Sequence, residues 1–237
     1  GCAFAVVVGA SGSGKSSLAR AGVADFLTRH SFDDGVQEWR AVAFVPGLCG
    51  NDLVTGLVRA LAERLPELRS SATALDDLAD GLVKDPALTV KLSVAPAFAR
   101  AAEHASGAVR VLLVLDQMEE LWTDRRITAE NRERFLSAIE TLARSGHVSV
   151  LATLRSDFYP HAQRGATFLR LKGERGHYDL SPPGTAALQR LITEPARLAG
   201  LRFERDERTE KTLDEVILED ASRDPAALPL LQYALCE

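Results

Sequence analysis

Cysteine is scarce in this chain of 237 residues: Cys2, Cys49 and Cys236 stand far apart and without metal-ligand spacing. Such a pattern builds neither a disulfide framework nor a zinc site, and the thiols read as reduced groups of a cytosolic protein. The five histidines, at positions 30, 104, 147, 161 and 177, include no pair at i, i+4, which argues equally against a zinc or di-metal centre. Long apolar runs are missing as well. Ala3–Val8 and Val111–Leu115 are the longest, and both are far too short to cross a bilayer. Neither a signal peptide nor a repeat or low-complexity tract is visible. A strong charge of one sign is lacking too: 28 Lys and Arg against 33 Asp and Glu leave a net charge of −5. Nothing in that balance advertises nucleic acid or an anionic membrane as a partner. What remains is an ordinary globular composition, 46% hydrophobic and 26% charged, long enough for one large domain with a small appendage. Because the chain opens on a strand pattern and closes inside a helical one, it reads as a piece of a longer protein.

Strands and helices alternate over most of the length. Ala3–Val8, Ala41–Val45, Val109–Leu115 and Val148–Leu154 are short, mostly apolar runs read as strands, and Tyr178–Leu180 is read as a fifth. Between them, helical spacing covers Lys15–Thr28 (with Leu18, Ala21, Val23, Phe26 and Leu27 on one face), Asp52–Leu65, Ala74–Val83, Leu88–Ala105 and Glu130–Arg144. This alternation predicts an α/β fold of three layers around a mainly parallel central sheet. After Ser181-Pro182-Pro183-Gly184 the strand signal stops. Helical patterns alone follow, near Thr185–Ile192, Pro195–Ala199, Glu207–Ala221 and Leu228–Leu235. The expected organisation is therefore an α/β domain over 1–181 and a small helical subdomain over 182–237.

The chemistry is carried by three sheet-edge elements. Gly9-Ala10-Ser11-Gly12-Ser13-Gly14-Lys15-Ser16 fits G-x-x-x-x-G-K-[ST] and stands between a strand and a helix. Glycines let the backbone curl so that successive N–H groups face phosphate oxygens, and the following helix offers its positive end to the same anion. Lys15 can reach the β- and γ-phosphates, and the Ser16 hydroxyl can ligate Mg²⁺. The second element, Val111–Asp116, is an apolar strand ending in a carboxylate at the edge where such folds bind ligands, suited to hold Mg²⁺. Glu119 and Glu120 follow closely, and either can orient or deprotonate an attacking water. In the third element, Ser149–Asp157, the strand delivers the Thr153 hydroxyl and the Arg155 guanidinium to the same edge, where Arg155 can read the γ-phosphate.

Taken in this order, the three elements resemble the STAND class of signal-transduction ATPases, and in wording the novel STAND NTPase 1 domain. The likeness rests on Gly9–Ser16 with its continuation Ser17-Leu18-Ala19-Arg20-Ala21-Gly22, and on Leu112–Trp122. It extends to Thr153–Tyr159, Glu194–Gly200 and Ala227–Leu231. The Asp116-x-x-Glu119-Glu120 spacing is similar to the NACHT branch. The resemblance implies Mg²⁺-dependent binding of ATP and ADP, hydrolysis, and a switching role beside further domains such as an effector and a WD40 array, with homo-oligomers on activation. It gives Arg155 the role of a sensor arginine, Ser17 a place in the phosphate site, and Pro229 the role of packing against adenine. Ala227 departs from the glycine often found ahead of that proline. Two rival readings stay open: a nucleotide-dependent small-molecule kinase, for which Arg125-Arg126 is the one close arginine pair, and a module that binds nucleotide without hydrolysing it. A transporter subunit is disfavoured because no LSGGQ-like signature occurs.

Overall fold

A computed structural model describes residues 3–30, 35–69, 75–205, 208, 210–223 and 231. They form two compact units, one of residues 1–8 and 15–179 and one of 9–14 and 180–237. Among the described residues no helix is long and apolar enough to cross a membrane.

The first unit is organised by five strands: β1 (Phe4–Gly9), β2 (Val36–Phe44), β3 (Ala108–Leu115), β4 (Val148–Arg155) and β5 (His177–Asp179). Their order across the sheet is β2-β3-β4-β1-β5, and the pairings of β1 with β5 and of β3 with β2 and β4 are all parallel. Helices cover both faces of such a sheet, so a central strand has no polar side to show. That is why β3 reads as an unbroken apolar run: Val111, Leu113 and Leu115 are fully buried and Leu112 and Val114 nearly so. Each such side chain contributes roughly 1.5–3 kcal/mol by leaving water. On the helix Ala129–Arg144, Phe135, Leu136, Ile139 and Leu142 face the core at helical spacing, and the Phe135 ring stacks on Phe44 at 5.4 Å. Its first turn is capped by Thr128, whose hydroxyl accepts from the Asn131 N–H at 3.2 Å.

Several elements depart from the sequence expectation for identifiable reasons. β2 begins at Val36, five residues early. Its first half carries Gln37, Glu38 and Arg40, which a strand with one neighbour tolerates, and Arg40 pairs with Glu38 at 2.8 Å and Glu67 at 3.1 Å. The helical run from Lys15 to Arg29 is π-helical over Leu18–Ala24. The wider turn buries Ala19 and Ala24, five apart, in place of the expected α-helical face, and leaves Phe26 half exposed. A second π turn, Val90–Val94, lies inside the run from Pro86 to Ala105, which Asp85 opens by accepting from the Leu88 N–H at 3.0 Å. Residues 156–176 carry two short helices, Tyr159–Ala162 and Ala166–Lys172, that periodicity missed because neither spans two full turns.

In the second unit one helix, Thr185–Leu198, runs through Pro195 where two were expected. The proline falls in the last turn, so one lost backbone bond there costs less than breaking a helix that buries Leu188 and Ile192. Those two side chains cluster with Ala221 of the helix Leu213–Arg223 and with Leu231, and Phe203, Ile217 and Leu218 pack alongside. That second helix starts at Leu213, later than expected, where Glu215 accepts from the Thr212 N–H at 2.9 Å. Arg205 and Thr212 form an isolated antiparallel bridge just before it. The helix expected over Leu228–Leu235, with Pro229, lies outside the described residues.

Candidate functional site

The strand order sets β4 beside β3, so the carboxyl ends of these two strands deliver their side chains to one place. Asp116 follows β3 directly and is 1% exposed. Its backbone N–H continues the ladder by donating to the Phe44 carbonyl at 2.9 Å. Gln117 then takes a left-handed φ of 56°, which turns its N–H back toward the Asp116 side chain. Oδ1 of Asp116 accepts from three donors: the Ser16 hydroxyl at 2.8 Å, the Thr153 hydroxyl at 2.6 Å and the Gln117 N–H at 3.1 Å. Oδ2 is held by Arg20 Nε at 2.9 Å. A buried carboxylate this well supplied with protein donors is held in one orientation.

Around it stand the other charged candidates. Lys15 is 8% exposed. Its ammonium pKa is lowered, chiefly by burial, against the opposing fields of Glu119, Asp116 and Asp157. Glu119 accepts the Arg155 N–H on Oε2 at 3.2 Å, and burial raises its carboxyl above the ordinary glutamate range despite the nearby Lys15 and Arg155 charges. Glu120 points elsewhere. Its Oε2 accepts the Gly47 N–H at 2.6 Å, and a Cβ at Gly47 would lie within 2.6 Å of the same oxygen. Arg126 completes that clasp by donating to the Gly47 carbonyl at 2.6 Å while gripping Asp124 at 2.7 Å. Arg155 is engaged with Asp157 through Nε at 3.1 Å and an Nη at 2.7 Å, and lies over the Phe158 ring at 5.4 Å. The pairing lowers the Asp157 carboxyl pKa.

Residues 9–14 are shaped for a ligand of their own. Gly12 and Gly14 take φ values of 76° and 86°, accessible to glycine without strain. The Ser13 N–H donates to the Ala10 carbonyl at 3.3 Å, and the Ser13 hydroxyl is buried without a hydrogen-bond partner. An unpaired buried hydroxyl costs about 1–3 kcal/mol, which an acceptor such as a phosphate oxygen would recover. Ser11 and Ser17 are exposed and Ala10 is exposed beside them.

Lys15, Ser16, Asp116, Glu119 and Arg155 thus converge within the first unit, whereas Glu120 is drawn away to Gly47. Pro229 is outside the described residues. Sequence reasoning gave no role to Arg20, whose signal is its position four residues after Ser16, one helical turn along the same face. Among the described residues no cluster of three or more His, Cys, Asp or Glu side chains is shaped to hold a metal ion. Ser16 and Asp116 offer hard oxygen donors of the kind Mg²⁺ takes together with phosphate and water.

Comparison with solved structures finds the same fold in proteins of low sequence identity. The Aeropyrum pernix ORC2 protein, solved in ADPNP-ADP complexes, matches with a TM-score of 0.59 at 16% identity, over 98% of this chain and 55% of that one. The Drosophila ORC bound to DNA matches with a TM-score of 0.57 at 16% identity, over 99% and 49%. Domain III of the Thermotoga maritima replication initiation protein DnaA matches with a TM-score of 0.52 at 13% identity, over 99% and 74%. This chain therefore spans about half the length of the ORC proteins it resembles. A search of curated protein sequences gave no match. One family description, novel STAND NTPase 1, fits residues 2–237. With its phosphate-loop signature, all-parallel sheet and this match along nearly its whole length, the chain belongs to the novel STAND NTPase 1 family.

Proposed function

We propose that the chain binds ATP with Mg²⁺ and hydrolyses it, and that the ATP and ADP states act as a switch within a longer cytoplasmic signalling protein. One observation carries this reading. The buried Asp116 carboxylate is bonded to Ser16, the last residue of the phosphate signature, and Lys15 lies in the field of both Asp116 and Glu119. The backbone of Gly9–Ser17 receives the phosphates, and Lys15 neutralises their β- and γ-oxygens; a phosphate beside the buried ammonium restores the charge that burial opposes. Ser16 and Asp116 hold Mg²⁺, which when bound draws charge from the β–γ bridge. Glu119 takes a proton from water as the water oxygen attacks the γ-phosphorus and the bond to the β-phosphate oxygen breaks. Glu120 is assigned to the Gly47 clasp and has no part in the chemistry. Arg155 leaves Asp157 to contact the γ-phosphate and so distinguishes ATP from ADP. Residues 1–181 form the nucleotide-binding domain and 182–237 the helical subdomain, from which Pro229 packs on adenine.

The test is phosphate release from ATP with no acceptor present. Wild-type chain with Mg²⁺ should release phosphate, and Lys15→Ala should lose at least about tenfold in nucleotide affinity, because a charge-assisted contact disappears. Release only when a small-molecule acceptor is added would favour a kinase. Binding with no release would leave a nucleotide-holding module.

A further inference from the structure

Arg20 is the one charged contact of Asp116 that the hydrolysis scheme does not use. The Asp116 carboxylate is almost wholly buried, and its two oxygens are used unequally. Oδ1 is filled by Ser16, Thr153 and Gln117, all close in the fold and none able to leave without exposing a buried acceptor. Among the described residues Oδ2 is engaged by the Arg20 Nε at 2.9 Å. The arginine side chain is itself 46% exposed, so it can release at little desolvation cost. It also has somewhere to go. Arg20 lines a cleft of about 320 Å³ together with Ala24, Ala41, Ala60, Glu63 and Arg64, where Glu63 supplies a second carboxylate.

We propose that Arg20 is a resident counter-cation for Asp116, and that Mg²⁺ enters this site by cation exchange, with the guanidinium withdrawing toward Glu63. The inference rests on the reading of Asp116 as the Mg²⁺ carboxylate. A guanidinium and a divalent ion cannot share Oδ2, because two cations in contact at a buried oxygen repel strongly where water does not screen them. Without metal, Arg20 keeps the carboxylate from repelling incoming phosphate. With metal, Arg20 becomes a competitor and sets the Mg²⁺ concentration at which the site fills. The π turn that carries Arg20 belongs to this device, since Ala19 and Ala24 anchor it on the core side while Arg20 stays at the surface.

The experiment compares the chain with its Arg20→Met and Arg20→Lys variants by calorimetry with ADP, once in EDTA and once across a Mg²⁺ titration. Arg20→Met should lower the half-saturating Mg²⁺ concentration about tenfold and weaken metal-free ADP binding about tenfold, the scale of one charge-assisted contact. Arg20→Lys, which keeps the charge, should lie close to wild type in both. A merely structural arginine would weaken both measurements together. An unchanged or raised Mg²⁺ midpoint in a variant that unfolds at the wild-type temperature overturns the exchange. Should Arg20→Met not fold, the arginine Nε–H resonance of the wild-type chain decides. Its solvent exchange should speed up with Mg²⁺ and ADP but not with ADP in EDTA, and a signal unmoved by Mg²⁺ refutes displacement. If the wild-type chain binds no nucleotide under either condition, it is the Asp116 reading that has failed, and the exchange falls with it.

Discussion

Glu119 and Glu120 carry the same functional group on adjacent residues, and different hydrogen-bond partners separate their fates. Glu120 spends its carboxylate on the Gly47 N–H at 2.6 Å, in a clasp where no Cβ would fit at Gly47. Glu119 accepts the longer bond from the Arg155 N–H and stands in the field of Lys15. Glu119→Gln should therefore keep Mg²⁺ and ATP bound while lowering kcat by about 10²-fold or more, the usual worth of a positioned general base. Glu120→Gln retains an oxygen for Gly47 and should change kcat little. Glu120→Ala strands that N–H and should cost about 1–3 kcal/mol in unfolding free energy. A denaturant titration beside single-turnover kinetics separates the two positions. The pH profile adds a sign. Burial raises the Glu119 carboxyl above the ordinary range, and the ionised form is the base. Activity should thus fall, as pH drops, at a higher pH than an unperturbed glutamate would give, and this limb should vanish in Glu119→Gln.

At the scale of elements, one tight constraint lies where β1 runs into the phosphate loop. A Cβ at Gly9 would meet both the Leu180 carbonyl oxygen and the Ser13 hydroxyl at 2.8 Å. The serine can rotate, but a backbone carbonyl cannot. Gly9→Ala should lose about 1–3 kcal/mol of stability through overpacking and should also weaken ADP binding, both readable by thermal unfolding with and without ligand. That glycine was legible in the sequence for a different reason, its place in the phosphate signature. The same holds for Lys15, Ser16 and Asp116, because phosphate and metal chemistry demand fixed residue types at fixed spacing. β3 was legible because a strand buried on both faces must be apolar throughout. The first half of β2 was not, since an edge strand may carry Gln37, Glu38 and Arg40. Nor was the π turn, whose burial of Ala19 and Ala24 depends on what the core offers rather than on local preference. The Glu120–Gly47 and Arg20–Asp116 contacts were equally hidden. They join residues far apart in sequence, and nothing in a glutamate or arginine states which distant backbone or carboxylate it will meet.

The molecule as a whole divides in a way that bears on switching. Residues 9–14 group with 180–237 rather than with the strand that precedes them. Within that unit Gly9 lies so close to Leu180 that no side chain fits between them. That unit also contains the helices Thr185–Leu198 and Leu213–Arg223. Those helices share a small core of Leu188, Ile192, Ala221 and Leu231, so their local stability is modest, and any ligand bound by their unit should be felt along them. Binding at about 100 times Kd stabilises the bound body by about 2.7 kcal/mol. Hydrogen exchange should report this directly. Amides of 185–198 and 213–223 should gain protection when ADP is added, whereas those of β3, already in the core of the first unit, should change little. A chain ended at Leu180 should keep its sheet and bind ADP more weakly. Equal ADP affinity with and without 181–237, together with unchanged exchange in both helices, would show that nucleotide does not act through this unit. The switch would then have to be read from the first unit alone, where we propose that Arg155 moves between Asp157 and phosphate.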